Sequence, residues 1–276
     1  MKILLLLASL SLSLVFGCGP SRETVSEVAP ERYPFDIATE VDDGMMVVSW
    51  KTAGQGLISG YNIYISEGPL LDDSDSLPPT AQPHNTTIYA GDTDPDDGIE
   101  HYEARGLDNG VLYYVHVRIV YPDLTLSPPT DEVRAVCGPR GEVELAIRYQ
   151  GDPDGFSFVL NDYVDADDVT NDLYYYSRDA QDYLVAPSEL GGFLRASRLR
   201  LLDLKGPLDQ VSEKLPAMSS RPAESRVEVS VGDWVWVMTP EQQHALVLVT
   251  GFTGRAESRR VRLFYAFTPR SGPPVF

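Results

Sequence analysis

The stretch that decides the fold of this chain is LDNGVLYYVHV, residues 107–117. Its Asn109-Gly110 dipeptide is typical of tight turns, because both residues tolerate backbone conformations that most side chains avoid. After the turn, Tyr113, Val115 and Val117 occupy every second position. Because successive side chains of a strand point to opposite faces, the pattern predicts a turn followed by a half-buried β-strand.

Apolar residues alternate in the same way on both sides of this stretch. Met46, Val48 and Trp50 form one such set, and the segment 61–65 forms another. Turn-forming residues separate these short runs, and no helical periodicity interrupts residues 33–137. Several short strands at this spacing predict an all-β sandwich.

Three landmarks within residues 33–137 resemble a fibronectin type III domain. Leu107 and Tyr113 lie six residues apart with a turn between them, as in the tyrosine corner, where the Tyr hydroxyl bonds to backbone upstream. Trp50 occupies the place of the buried Trp on the second strand, and Ser127-Pro128-Pro129 lies where the last strand begins. The resemblance implies an immunoglobulin-like sandwich that serves as a spacer, an adhesion unit or a presenter of its neighbour, without catalytic residues.

The second half of the chain also has the pattern of a β protein. Gly138-Pro139-Arg140-Gly141 interrupts the alternation and predicts a boundary, after which residues 138–276 form a second domain. Eight or nine short apolar runs follow, and they predict a second β-sandwich or a partly open barrel. Only Pro207–Leu215 has the composition of a helix, which its flanking prolines keep short.

Three short motifs of this second half resemble a recurring C-terminal β module of bacterial exported lipoproteins. They are FSF at 156–158, DLYY at 172–175 and VGDW at 231–234. The resemblance implies a β architecture and no particular activity.

Residues 1–17 have the proportions of a secretory signal peptide. Met1-Lys2 gives a basic start, and the apolar segment Ile3–Phe16 is too short for a membrane-spanning helix, which needs about 20 residues. Val15-Phe16-Gly17-Cys18 resembles the lipobox of bacterial lipoproteins. That resemblance implies cleavage after Gly17 and a Cys18 that carries fatty acyl chains such as palmitate. The alternative is an ordinary signal peptide with an incidental Cys18.

Residues 18–32 are predicted to be the lipidated Cys18 followed by a polar tether. Gly19–Arg32 is rich in Ser, Glu and Pro, and a flexible chain of this length spans about 20 Å. By the resemblance to bacterial lipoproteins, Gly19 rather than Asp after the Cys implies transport to an outer membrane. The resemblance therefore implies a cell-envelope lipoprotein of the outer membrane that faces the periplasm or the cell exterior, with the membrane as its partner.

The composition excludes some functions. The chain holds 22 Lys and Arg against 41 Asp and Glu, a formal net charge of −19 at pH 7. Nucleic acid is not expected as a partner, because its phosphates need a clustered positive surface. The sequence contains no nucleotide, zinc or nucleophile motif, so no cofactor is expected and the chain is predicted not to be an enzyme. Cys137 has no partner once Cys18 is acylated, and its apolar neighbours predict a buried, inert thiol.

One acidic loop has part of the spacing of a calcium site. Asp92, Asp94 and Asp96 alternate, and Glu103 stands at the twelfth position from Asp92, as in an EF-hand loop. The glycine that such a loop requires at position six is replaced by Asp97, and the segment that should begin a helix has a strand pattern. We therefore favour a solvated acidic turn, with a metal site as the alternative.

Aromatic residues are the candidates for a binding platform. Tyr174, Tyr175 and Tyr176 are consecutive, so at least one ring of a strand faces away from the core, and we assign Tyr175 to the outward face. Exposed rings of this kind stack on the apolar faces of sugars. Trp234 and Trp236 share a face at period two and are interpreted as core residues, since strand aromatics usually fill cores.

An acidic run is the remaining candidate for chemistry. It would supply a glycosidase carboxylate pair or calcium ligands, although a solvated loop is favoured in so acidic a chain. Its members are Asp162, Asp165, Asp167, Asp168 and Asp172.

The patterns lead to one functional hypothesis and two alternatives. The hypothesis is a non-enzymatic, membrane-anchored exported lipoprotein whose fibronectin-like module presents a β domain for binding a protein or a glycan. One alternative is a structural envelope spacer without a specific ligand. The other is an anchored hydrolase that uses carboxylates of residues 162–172.

Overall fold

The computed structural model describes residues 32–71, 77–78, 80–92, 98–150, 152–191, 194–215, 220–272, 274 and 276. Residues 32–137 are called the first unit, and their six strands form two antiparallel sheets with the orders β1-β2-β4 and β3-β5-β6. The strands are β1 (Tyr33–Asp42), β2 (Met45–Ala53), β3 (Gly60–Ser66), β4 (Ile99–Arg105), β5 (Leu112–Val120) and β6 (Val133–Val136).

The core of the first unit lies between its two sheets. Met46, Val48 and Trp50 have no exposed surface, as their alternation predicted. Trp50 on β2 contacts Tyr61 on β3 of the facing sheet, with ring centroids 5.0 Å apart and an edge-on arrangement. Large aromatic side chains dominate the energetics of such cores. The prediction of an all-β sandwich is confirmed.

The predicted contact of the Tyr113 hydroxyl with upstream backbone is present. The amide of Asp108 donates a hydrogen bond to the Tyr113 hydroxyl oxygen over 2.8 Å. Gly110 adopts a φ of 71° in the turn between them, a region that favours glycine. The turn is also tied to the β1–β2 turn, because the amide of Gly44 donates to the Asn109 side-chain oxygen over 2.8 Å.

We expect Tyr113→Phe to lower the free energy of unfolding by about 1 kcal/mol, because it leaves the Asp108 amide without its acceptor. Urea denaturation at neutral pH measures this loss. Tyr114→Phe is the matched control, since the Tyr114 ring stays under the Arg134 guanidinium, 5.2 Å from its centroid, without the hydroxyl. Equal stability of the two variants would contradict a stabilising role for the Tyr113 hydroxyl.

Residues 138–276 are called the second unit, and the ten strands in its described part form two five-stranded antiparallel sheets. The outer sheet has the order β13-β11-β10-β8-β9 and the inner sheet the order β12-β14-β15-β16-β7. The strands are β7 (Arg140–Ala146), β8 (Gly155–Ser157), β9 (Asp162–Val164), β10 (Leu173–Arg178), β11 (Gln181–Val185), β12 (Arg198–Leu202), β13 (Arg226–Glu228), β14 (Trp234–Met238), β15 (His244–Thr253) and β16 (Arg260–Thr268).

The second unit is a sandwich and not a closed barrel. One continuous core cluster joins residues of both sheets, among them Leu184 on β11 and Val235 on β14. The opposite face of the inner sheet is covered by a short helix, α1 (Leu208–Lys214), within the segment predicted to be helical. Trp234 and Trp236 pack under this helix and are 2% and 3% exposed, which confirms their interpretation as core residues.

The connection between the two units is buried. Residues 136–139 are all buried, although sequence alone indicated only an interruption of the strand pattern there. Backbone bonds hold the connection on both sides: the Gly138 amide donates to the Asp42 carbonyl over 3.1 Å, and the Phe267 amide donates to the Pro139 carbonyl over 2.9 Å. The two units therefore meet through a hydrogen-bonded junction and not through a loose linker.

The junction and the N-terminal end of the first unit lie at opposite ends of β1. Tyr33 pairs with Ala53 at one end, and Asp42, which binds the junction, pairs with Met45 at the other. A strand of ten residues spans roughly 30 Å. The carbonyl of Arg32 accepts the Tyr121 hydroxyl over 2.8 Å, so Arg32 lies at the end of β1 remote from the second unit.

Candidate functional site

Several predicted site residues lie outside the described residues. They are Cys18, with the signal peptide and most of the tether, and two of the three acidic-loop residues, Asp94 and Asp96.

The described member of the acidic loop, Asp92, is used within the fold. Its carboxylate accepts the His101 amide over 3.0 Å and lies 2.8 Å from His101 Nδ1. Its own amide donates to Glu100 over 3.0 Å, and Glu100 in turn accepts the Tyr61 hydroxyl over 2.9 Å. These contacts fasten the base of the loop to β4. Within the described ranges, no group of three or more His, Cys, Asp or Glu side chains is placed to hold a metal ion.

The outward assignment of Tyr175 is wrong. Tyr175 has no exposed surface and points into the core between the sheets, whereas Tyr174 and Tyr176 occupy the opposite face of β10. The reason is register: Tyr175 pairs with the buried Leu184 of β11. The statement that at least one of the three rings faces away from the central core is confirmed. The rings on that face are those of Tyr174 and Tyr176, and not that of Tyr175.

Tyr174 and Tyr176 belong to an aromatic and cationic surface on the outer sheet. Tyr176 and Tyr183 on the neighbouring strand have ring centroids 6.4 Å apart, with planes inclined by 33°. The guanidinium of Arg226 lies 5.2 Å from the Tyr183 centroid, and that of Arg148 lies 5.4 Å from the Tyr174 centroid. We call this surface the tyrosine-arginine face; it comprises Arg148, Tyr149, Tyr174, Tyr176, Tyr183 and Arg226.

The members of the tyrosine-arginine face differ in accessibility. Tyr149 is 73% exposed and its ring stacks 3.9 Å from the Arg148 guanidinium, while Tyr174 is only 4% exposed. Burial raises the pKa of Tyr174, although the charge of Arg148 opposes the rise. Tyr176 and Tyr183 are half-buried. Rigid tyrosines beside arginines are suited to contact a ligand, because they provide large apolar surfaces together with hydrogen-bond donors.

The structure divides the acidic run into exposed carboxylates and one buried carboxylate. Four of its five members, Asp162, Asp165, Asp167 and Asp168, are exposed. Asp168 accepts hydrogen bonds from the amide and the hydroxyl of Thr170, and these bonds lower its pKa. This is the geometry of a turn in which an aspartate binds its own backbone.

The fifth member, Asp172, is buried and ion-paired. Its carboxylate accepts Arg195 Nε over 2.7 Å and the Phe158 amide over 3.0 Å, and Arg195 also bridges to Glu241 at 2.5 Å. Burial raises the pKa of Asp172, and the charge of Arg195 opposes this rise. The Asp172 carboxylate is therefore bound by groups of the protein itself.

A second ionic cluster, formed by the buried Asp182 and the partly exposed Arg259, joins the two sheets. Asp182 accepts two hydrogen bonds from Arg259, over 2.8 and 2.5 Å, and one from the Tyr175 hydroxyl over 2.5 Å. Neither Arg259 nor Asp182 was among the candidates from sequence, because an isolated charge in a strand pattern gives no sign of its partner. The cluster explains why a tyrosine is accommodated in the core at position 175: its hydroxyl has a buried acceptor.

The four histidines are dispersed. The ring of His116 is buried, with Nδ1 3.0 Å from the Thr130 carbonyl oxygen. His244 is also buried; it accepts the Trp236 indole N–H over 3.2 Å and lies 2.9 Å from the Gly272 carbonyl oxygen. Burial lowers the pKa of His244. These rings are satisfied core groups.

Cys137 lies in the junction as a buried thiol. It has no exposed surface, and its Sγ lies 3.3 Å from the Met45 carbonyl oxygen. Burial raises its pKa to about 11.

We expect Cys137 to react with a thiol reagent at least about a hundredfold more slowly in the native protein than in the unfolded one, since the thiolate is the reactive form and its fraction falls tenfold per pKa unit. The measurement is the rate of modification at neutral pH with and without urea, in protein whose Cys18 is acylated or replaced by Ser. Rapid modification of the native protein would show that the junction opens.

Two findings about the whole chain complete the description. Among the described residues, no helix has the length and hydropathy needed to cross a membrane. Neither known protein families nor curated proteins include a match to the chain.

Proposed function

We propose that this chain is a non-enzymatic, exported lipoprotein, anchored in a membrane through Cys18, in which a fibronectin type III-like first unit holds a ligand-binding second unit away from the membrane. Its place is the cell envelope, at the outer membrane. The observation that carries the proposal is the position of the buried junction, at the end of β1 opposite the tether.

The first unit is suited to be a spacer. Its length along β1, roughly 30 Å, separates the tether from the second unit. The backbone bonds of residues Cys137, Gly138 and Pro139 to Gly110, Asp42 and Phe267 resist bending at the junction. A rigid spacer would present a binding surface at a fixed distance from the bilayer.

The tyrosine-arginine face is the surface that we assign to ligand binding, with a glycan or a protein as the ligand. The inclination of only 33° between the Tyr176 and Tyr183 rings gives a shallow aromatic platform, which suits the apolar face of a sugar. Arg226 adds a donor beside the platform. The non-enzymatic character of the proposal is supported by the engagement of Asp172 with Arg195.

Binding is tested with a glycan array and with a pull-down from envelope extracts, using the full mature chain. We expect Tyr176→Ser combined with Tyr183→Ser to lower the affinity for the ligand about tenfold or more, since aromatic anchors carry most of the binding energy of such surfaces. Tyr33→Ser is the control, because Tyr33 is an exposed tyrosine, 43% accessible, in the first unit. Empty results in both assays with folded protein would refute the ligand and leave the structural spacer.

The anchor is tested separately. Mass spectrometry of the N-terminal peptide of the native protein should show Cys18 as its first residue with fatty acyl chains attached. An unmodified Cys18 thiol, or an uncleaved signal peptide, would refute the lipoprotein assignment.

A further inference from the structure

Two leucines project from the end of the first unit at which the chain leads back to Cys18. Leu57 in the β2–β3 loop is 84% exposed, and Leu124 in the β5–β6 loop is 70% exposed. The loops are held together, because the Ser59 amide donates to the Val120 carbonyl over 2.8 Å. Between them lies a shallow cavity of about 380 Å³, lined in part by Leu57, Tyr121 and the residues on either side of Leu124. We call Leu57 and Leu124 the leucine tip.

Leu124 is unfavourable for the stability of the folded protein in two respects. Its φ of 68° lies in the left-handed region, which a branched side chain rarely adopts and which Gly or Asn would fit better. Its apolar side chain is also left in water. Backbone strain of this kind is concentrated at functional sites. The leucine is therefore unlike the residue that the turn alone would favour.

The length of the segment between Cys18 and β1 indicates which surface the leucine tip contacts. Gly19–Arg32, the segment predicted to be a tether, separates Cys18 from β1, and fourteen residues of coil would span about 20 Å. The Tyr121 hydroxyl binds the Arg32 carbonyl, so this tether starts beside the β5–β6 loop that carries Leu124. A tip held at this distance from a bilayer has a high effective concentration at its surface.

We propose that the leucine tip inserts into the interface of the lipid bilayer in which the acyl chains of Cys18 are anchored. This inference rests on the lipoprotein assignment proposed above. Together with the tether, the tip would fix how the first unit stands on the membrane, because two separate attachments restrict tilting more than a flexible tether alone.

The charge around the tip selects the kind of lipid surface. Asp123 is exposed beside Leu124, so the leucine tip carries a carboxylate at its surface. Carboxylates are repelled by anionic headgroups and tolerated by zwitterionic ones. The tip therefore fits a zwitterionic surface such as phosphatidylethanolamine.

The test uses the full acylated chain in vesicles of phosphatidylethanolamine and nitroxide-labelled phosphatidylcholine. Leu57→Trp places a fluorescent reporter at the tip, and the native Trp50, Trp234 and Trp236 provide a constant buried background. Insertion is expected to shift the added emission to shorter wavelength and to quench it by the nitroxide. Val231→Trp is the matched control in the second unit, because Val231 is 60% exposed.

A second variant separates insertion from a change in folding. Leu124→Asn in the Leu57→Trp background is expected to keep the melting temperature, since Asn accepts the left-handed backbone, and to reduce the quenching. Replacing part of the phosphatidylethanolamine by phosphatidylglycerol should also reduce the quenching.

Each other outcome counts against the inference in a defined way. If the acylated protein binds vesicles but Leu57→Trp is quenched no more than Val231→Trp, the tip does not insert, and the lipoprotein assignment stands. Emission that shifts only when envelope proteins are added would assign the tip to a protein partner and overturn bilayer contact. An unmodified Cys18 would refute the lipoprotein assignment and, with it, this inference.

Discussion

Asp182→Asn is expected to lower the free energy of unfolding of the second unit by about 2 kcal/mol, because hydrogen bonds to a charged group contribute roughly this much and the partly exposed Arg259 loses its carboxylate partner. The Asp182 side chain is 7% exposed and accepts two hydrogen bonds from Arg259 and one from Tyr175. An Asn side chain has one oxygen and no charge, so it satisfies only part of this set. Urea denaturation followed by tryptophan fluorescence measures the loss.

Asp179→Asn is the matched control for this change. Asp179 lies in the same β10–β11 hairpin, and its side chain is 83% exposed in an ion pair with Arg178. Exposed ion pairs contribute at most about 1 kcal/mol, and Asn tolerates the φ of 55° at this position. If Asp179→Asn were as destabilising as Asp182→Asn, the ionic cluster would not be the cause.

The same cluster gives the stability of the second unit a pH dependence. Burial raises the pKa of Asp182, but hydrogen bonds from Arg259 and Tyr175 outweigh burial, so the net shift is downward. A carboxyl group with a lowered folded-state pKa stabilises above its unfolded value, about 3.9, and this contribution is lost as the pH falls through the folded value. The stability difference between wild type and Asp182→Asn should therefore shrink below about pH 4.

Gly138→Ala is expected to lower the free energy of unfolding by about 3 kcal/mol. This value is at the upper end of the range for adding a methyl group to a well-packed site. A Cβ at this position would overlap the Phe267 carbonyl oxygen, a backbone atom that a rotamer change cannot move. The Gly138 amide also binds the Asp42 carbonyl, so displacement of the chain would break a second contact. Because Asp42 and Phe267 belong to different units, the change should loosen one unit against the other.

The measurement combines thermal unfolding with small-angle scattering of the full mature chain. We expect a lower melting temperature and a broader distribution of distances between the units. Gly68→Ala is the control, because a Cβ at Gly68 meets no atom within 4 Å. An unchanged scattering profile and melting temperature for Gly138→Ala would contradict the rigid junction and weaken the role of the first unit as a spacer.

The fold was predictable where the pattern is local. The burial of Met46, Val48 and Trp50, the turn before Tyr113 and the short helix near Pro207 each depend on the alternation or turn chemistry of a few neighbouring residues. These features can be predicted from the sequence alone, because strand parity and turn conformation are properties of short segments.

The candidate site was predictable only in part. Tyr174, Tyr175 and Tyr176 are all aromatic, so no alternation marks which of them faces the core, and the pairing of Tyr175 with Leu184 decides it. Arg148 and Arg226 contribute to the same surface from segments that are distant in the sequence. The tyrosines of that surface are the only sequence feature that could have pointed to these arginines. Asp172 differs from the other members of the acidic run because it is buried and forms an ion pair with Arg195.

By itself, the sequence determined that both halves of this protein are β structure, since a two-residue period and its turns require no knowledge of distant partners. Only the tertiary structure decided how the tyrosines are divided between core and surface, which carboxylates are ion-paired, and that Gly138 lies in a buried junction at the end of β1 opposite Tyr33. Those features depend on the register between strands and on contacts between remote segments, and neither is encoded in any single stretch of the chain.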